Sequence, residues 1–304
     1  MSRASEQTRL WTPNHWPMWA VLGLFRLLHE LSWPEKRRLA RGLGWFIFHF
    51  VRIRRHVTEV NLALCFPEKS ALERRALALA HFQSLALGVF ETLAGWWAEP
   101  EDLPPFRVEG LDHLKRALER GHGALLLTAH FTTLEICGRM MIEAYAMGGL
   151  YRDPNNPVVA HLMRRQRERH MSIAVHFDDL RGLVRALRAG HVIWYAPDQG
   201  KRSKSSDILP FFGVPAITNT ATAKIAEMTG CAVVPFFARR EADGRYVLRV
   251  FPELEQFPGP DATADAIRVN RLIEAHVREV PEQYFWVHRR FKARGPEYPD
   301  VYAR

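Results

Sequence analysis

Apolar and polar positions follow two rhythms along this chain. Up to about residue 100 the apolar positions recur at helical spacing. Beyond Pro104 and Pro105, short continuous apolar runs alternate with helical stretches. Two aromatic-rich runs open the first part. Residues 15–29 hold Trp16, Trp19, Leu22 and Phe25, are interrupted by Arg26 and are followed by Trp33; residues 43–51 are almost wholly apolar. Lys36, Arg37, Arg38 and Arg41 stand between them, and Arg52, Arg54 and Arg55 follow. The first run is shorter than the ~20 residues a spanning helix wants, and no small-residue cleavage site follows it. Apolar runs bracketed by tryptophan and alternating with arginine predict a segment lying in or crossing a membrane, with its basic flank toward an anionic cytoplasmic surface. The alternative is a pair of core helices. Residues 1–14 are polar and read as a mobile tail. Residues 61–70 read as a helix end, a break at Pro67 and a new start at Ser70. The next helix runs to about Trp97 and should bury Leu72, Leu79, Phe82, Leu85, Val89 and Phe90.

The second part predicts an α/β alternation. The stretch 124–129 opens with a continuous apolar run, as a strand buried on both faces would, and leads into His130. Residues 132–135 then read as a helix start, with Ile136, Met140 and Met141 on the next turns. Further strands are expected at 106–110, 149–152, 191–197, 232–237 and 246–251, and helices at 111–120, 158–170, 179–189, 220–229 and 261–278. Residues 210–215 read as apolar and rigid. The fold class is therefore α/β, a mixed and mostly parallel central sheet flanked by helices, with a membrane-associated helical segment at its N-terminus.

Composition narrows the partners. The 304 residues are 47% hydrophobic without low-complexity tracts, as in a globular protein. A formal net charge of +9 points to anionic partners: lipid headgroups, phosphorylated glycans, an acidic carrier protein or nucleic acid. A basic surface kept for solubility is the plainer account. Nucleic-acid binding would want exposed aromatics among basic residues; only 284–292 has that look, and its apolar half reads as core. Cys65, Cys137 and Cys231 are far apart and odd in number, so they suggest neither a disulfide framework nor a zinc site, and fit a reducing compartment.

The candidate chemistry centres on His130 and Glu135. A strand's carboxyl end before a helix is where open α/β sheets bind ligands. Histidine exchanges a proton near neutral pH, and a carboxylate can fix its tautomer. A sharp strand-to-helix turn would be needed to bring the two together. Thr132-x-x-Glu135 is also a capping-box pattern, so Glu135 could simply cap a helix. Loops 151–156 and 198–204 should converge on the same edge. Arg152 and Arg164 suit an anion, and Asp198, Gln199, Lys201 and Lys204 lie in a cation-rich loop with an exposed-backbone glycine. No GxSxG, Walker, GxGxxG or HExxH pattern competes, and the fourteen histidines show no metal-ligand spacing.

These residues carry a resemblance. His130-Phe131-Thr132-Thr133-Leu134-Glu135 is an H-x4-E form of the H-x4-D/E block of glycerolipid-type acyltransferases. Residues 151–157 resemble their second block, Pro197-Asp198-Gln199-Gly200 the third, and Val234-Pro235-Phe236 the fourth. More narrowly, the stretches 61–68 (NLALCFPE), 109–112, 210–215 (PFFGVP) and 284–292 (YFWVHRRFK) are similar to the late acyltransferases of lipid A biosynthesis, the lauroyl/myristoyl transferase family. The resemblance implies acyl transfer from an acyl carrier protein thioester to a hydroxyl of a lipid A precursor. It implies His130 as general base with Glu135 as partner, no cofactor beyond the thioester donor, and a site on the cytoplasmic side of the inner membrane. On this reading residues 1–33 are tail and anchor helix, and 34–304 are one acyltransferase domain, helical over 34–104 and α/β over 105–304. A glycerophospholipid acyltransferase and a non-catalytic basic membrane-surface protein are the competing readings.

Overall fold

Helices come first in the chain, and each start has a local cause. The structure, a computed structural model, describes residues 10–292 and 294–303; most of the expected mobile tail, residues 1–9, lies outside the described residues. Helix α1 (Trp16–His29) begins with Pro17 in its first turn. Trp11 stacks on Trp19 with ring centroids 4.4 Å apart, and the Trp19 indole donates to the Leu10 carbonyl at 2.8 Å. Helix α2 (Trp33–Phe50) starts where the Ser32 backbone N–H donates to Glu35 at 2.8 Å. Helix α3 (Arg52–Cys65) follows directly, and α4 (Ala71–Trp97) starts on the expected Ser70, whose hydroxyl and backbone form a capping box with Glu73.

Helix α2 is two-faced. Lys36, Ala40, Gly44 and Phe48 recur every four residues and are buried, and α4 packs against this helix. Leu39, Leu43, Phe46 and Phe50 form a second, exposed apolar stripe, the pattern of a helix lying in a membrane interface. The fourteen residues of α1 reach about 21 Å at 1.5 Å per residue, short of a ~30 Å hydrocarbon core. Among the described residues, the one helix long and apolar enough to cross a membrane is α4. It is packed between α2 and the α/β part, as a core helix would be. Leu72 and Val89, expected on its buried faces, are exposed: periodicity marks a face but not how much of its length a partner covers.

The α/β part runs β1 (Phe106–Glu109), α5 (Leu111–Leu118), β2 (Ala124–Leu127), α6 (Leu134–Ala144), β3 (Gly148–Tyr151), α7 (Pro157–His170), β4 (Ala174–His176), α8 (Leu180–Arg188), β5 (Val192–Tyr195), β6 (Ser206–Phe211), β7 (Val214–Asn219), α9 (Ala221–Thr229), β8 (Ala232–Arg240), β9 (Tyr246–Val250) and α10 (Ala262–Glu279). Seven strands form one sheet in the order β1-β9-β8-β2-β5-β3-β4. Every neighbouring pair is parallel except β8–β9. This is the mixed, mostly parallel sheet the alternation implied.

Central β2 is buried on both faces, which explains its unbroken apolar run. Leu125 and Leu127 join one core with α8, α9 and α10 residues such as Leu187, Ile225 and Ile273. Ala124 and Leu126 join another with Leu114, Ile136 and Met140, as successive strand residues must. Strand β4 was not evident in the sequence, being three residues at a sheet edge. Nor was the β6–β7 hairpin, where Pro210 faces Pro215 and the turn residues Phe212 and Gly213 both have positive φ. That turn suits the right-handed twist of a two-residue hairpin. The Phe212 N–H is held by Glu274 at 2.8 Å.

Candidate active site

Sheet register assembles the site. Leu127 on β2 pairs with Tyr195 on β5, and the Thr128 N–H continues the ladder to the Tyr195 carbonyl. Three residues beyond each paired position come His130 and Asp198, so the two arrive side by side at the carboxyl edge of the sheet. The Asp198 carboxylate takes His130 Nδ1 at 2.6 Å and the His130 backbone N–H at 3.1 and 3.2 Å. Asp198 is buried, whereas 34% of the His130 side chain is open. Burial alone would discourage charge on both. The pair reverses that: burial lowers the His130 pKa, but Asp198 outweighs it and the net shift is upward. Asp198 is held below its usual range by His130, with a smaller push from Arg290.

The C-terminal aromatic stretch locks this pair. Phe131 and Tyr284 form an isolated antiparallel bridge. The Phe285 N–H donates to the His130 carbonyl at 3.1 Å, and the Thr132 N–H to the Gln283 carbonyl at 2.7 Å. The Tyr284 hydroxyl then donates to the second Asp198 oxygen at 3.0 Å. Removing it should loosen the carboxylate without opening the core. Tyr284→Phe is expected to lower turnover by about tenfold, the worth of one hydrogen bond to a charged group. It should also move the acid limb of the pH–rate profile upward, since a less stabilised carboxylate draws the His130 proton more strongly. An unchanged profile would confine Tyr284 to packing.

Glu135 sits elsewhere. Helix α6 has Thr133 at its N-cap with no side-chain capping bond, so the Thr132 capping box does not form. The Glu135 carboxylate instead pairs with Arg167 of α7 at 3.3 Å, and no hydrogen bond or ion pair joins it to His130 among the described residues. Arg167 also lies over the Tyr151 ring, 5.7 Å from its centroid. Tyr151, Arg164 and Arg167 line an open cavity of about 240 Å³. Beneath Glu135 lies a smaller one of about 30 Å³. Arg139, Gln166, His170 and Trp194 line it, each with a buried polar atom lacking a protein partner; it has room for one or two waters. Of the remaining expected residues, Arg164 reaches Asp153 at 3.5 Å and Arg152 stacks on Phe177 at 5.2 Å. Gln199 lies half-buried beside Asp198, while Lys201 and Lys204 are exposed. So Asp198, expected to bind substrate, is the residue beside the histidine. Glu135, expected there, belongs with Arg167. Among the described residues no group of metal-ligating side chains converges.

A stripe on α4 supports the loop between His130 and Glu135, and periodicity did not reveal it. Ser84, Gly88, Glu91 and Gly95 recur at helical spacing. Ser84 Oγ meets Thr132 Oγ1 at 2.7 Å. A Cβ on Gly88 would come within 2.6 Å of the Thr132 carbonyl oxygen, and one on Gly95 within 3.2 Å of that of Glu135. Glu91 pairs with Arg240 at the end of β8 and accepts from the Tyr246 hydroxyl. Arg240 also donates to Ser84 Oγ at 2.7 Å. Small residues let the helix close on the loop, and the buried charges neutralise each other.

An α/β fold with a histidine–carboxylate pair at a parallel strand end is a scaffold for proton-transfer chemistry. Comparison with known proteins places it more closely. The family model described as bacterial lipid A biosynthesis acyltransferase matches residues 3–293. The chain is 36% identical over 298 residues to the lipid A biosynthesis lauroyltransferase of Escherichia coli (strain K12), covering 97% of each. It is 36% identical over 285 residues to the palmitoleoyltransferase of the same strain, covering 93% of each. It is 27% identical over 304 residues to the myristoyltransferase, covering 96% of this chain and 92% of that one. The chain belongs to the bacterial lipid A biosynthesis acyltransferase family. The crystal structure of a 1-acyl-sn-glycerophosphate acyltransferase from Thermotoga maritima aligns with 80% of this chain and 97% of its own at 13% identity. The TM-score is 0.37, too distant to carry residues across.

Proposed function

We propose that the protein transfers a fatty acyl chain from an acyl carrier protein thioester to a hydroxyl of a lipid A precursor, at the cytoplasmic face of the inner membrane. The observation that carries this reading is the His130–Asp198 pair at 2.6 Å, set at a sheet edge in a chain of this family. Asp198 holds Nδ1–H and leaves Nε2 toward the acceptor. His130 takes the hydroxyl proton as the oxygen attacks the thioester carbonyl. The C–O bond forms, the tetrahedral centre collapses with loss of the C–S bond, and the imidazolium returns its proton to the thiolate. The net charge of +9 favours an acidic carrier. The exposed α2 stripe supports contact with the bilayer that holds the acceptor.

Purified protein, a donor-length series of acyl carrier thioesters and a lipid A precursor test this directly. Acylated precursor is expected by mass spectrometry. Product with a glycerophosphate acceptor instead would move the protein to glycerophospholipid chemistry, and no product with either would remove the assignment. Glu135 is tested in the same assay. As the anchor of Arg167 beside the cleft, it should show in Glu135→Gln as a KM raised by about tenfold with the pH–rate profile in place. A displaced profile would return Glu135 to the proton-transfer step.

A further inference from the structure

We propose that the arginine-lined groove between α2 and the β8–β9 turn binds a phosphate of the glycolipid acceptor, an inference that rests on the function proposed above. The groove has a volume of about 620 Å³, within the range of small-ligand sites and large enough for a sugar phosphate. Arg37, Arg38 and Arg41 form its α2 wall, and Ser84, Arg240 and Gln283 lie deeper in it. Its two walls are pinned together. Arg37 donates to the Asp243 carbonyl at 3.1 Å, and a Cβ on Gly244 would come within 2.2 Å of the Arg37 guanidinium.

The charges in the groove do not cancel. Arg240 is matched by Glu91, and Glu241 by Arg239 at 2.9 Å. Arg38 and Arg41 have no carboxylate within ion-pair distance among the described residues, and Glu282 is the remaining acid in the wall. Two free guanidinium forks, with Arg37 beside them, suit a phosphate monoester, whose oxygens they can bind in pairs. The position selects the source. On α2 the three arginines lie on a different side from the apolar stripe of Leu39, Leu43, Phe46 and Phe50. A helix bedded along that stripe holds the groove at headgroup level. Inward, Ser84 touches Thr132, two residues from His130. A phosphate held here belongs to a molecule anchored in the bilayer and reaching toward the catalytic loop.

The test combines Arg38→Gln with Arg41→Gln, both exposed and outside the catalytic pair, in the full-length protein in detergent micelles. The KM for the phosphorylated precursor should rise by about tenfold or more, with kcat and the KM for the carrier thioester unchanged. Phosphatase-treated precursor should show the raised KM with the wild-type protein and no further change with the variant. Calorimetric titration with the deacylated, phosphorylated disaccharide headgroup should show binding that the variant loses. A raised KM for the carrier thioester would make the groove a carrier dock and overturn the proposal. So would equal KM values for the two precursors, or a variant altered only in partition onto phosphatidylglycerol vesicles. The titration separates two failures. Arginine-dependent headgroup binding without acyl transfer would keep the groove and sink the proposed function. Acyl transfer with headgroup binding that ignores the arginines would sink the groove alone.

Discussion

His130→Ala should lower kcat by about 10²–10⁴-fold, the usual worth of a general base, with the fold intact because a third of that side chain is open. Asp198→Asn should be nearly as severe, and the double variant little worse than His130→Ala, since groups acting as a unit are not additive. The pH dependence adds a sign. A base works neutral, so the rate should climb with pH through an apparent pKa above the ordinary 6.5 of histidine. In Asp198→Asn, burial acts unopposed and the limb should move down instead. Stability follows the same pair: the raised histidine contributes fully below pH 6.5 and the lowered aspartate fully above 3.8. The gain should therefore be greatest between those values, and fade as pH rises through the folded histidine pKa or falls through the folded aspartate pKa. Full activity in Asp198→Asn with an unmoved limb would detach the carboxylate from the proton transfer.

Glu91→Gln should cost on the order of 3–5 kcal/mol of unfolding free energy, the penalty for leaving one member of a buried pair charged and alone. Only 1% of the Glu91 side chain and 12% of Arg240 are open. Burial opposes charge on Arg240, and Glu91 outweighs it; once Glu91 is neutralised the burial penalty stands unopposed on a guanidinium too basic to give up its proton. Denaturant titration measures the loss. Replacing both residues by methionine should recover most of it, because two apolar side chains leave no stranded charge. Ser84 and Thr132 would still meet in that variant, so the rate tests whether support of the loop survives without the ion pair. A Glu91→Gln loss under about 1 kcal/mol would mean the pair is solvated.

Much of this was legible in the sequence, for identifiable reasons. The run before His130 announced a strand buried on both faces, and the helix starts at Ser70, Asn156 and Asp179 carry side-chain caps. What escaped was non-local. His130 and Glu135 are five apart in sequence and invited pairing, yet Asp198, 68 residues from His130, is brought in by the β2–β5 register, which no local spacing encodes. Tyr284 lay in a stretch noted for its aromatics, but its hydroxyl finds Asp198 only through the bridge to Phe131. The α4 stripe was hidden for a different reason. Glycine, serine and glutamate on a buried face weaken the apolar rhythm that marks such faces, because they serve close approach and charge pairing.

Helix α4 is also a spacer. A Cβ on Gly44 of α2 would lie 2.4 Å from the Gln83 backbone, so α2 rests directly on one flank of α4. Gly88 lets the Thr132 backbone rest equally close on another. Between the helix that carries the exposed apolar stripe and the loop that carries His130 there is one helix, about 10 Å across. With that stripe bedded in a bilayer, as proposed, the altitude of the imidazole above the lipid would be set by the girth of a rigid rod. An acceptor hydroxyl would be chosen by how far it stands out of the lipid as well as by its chemistry.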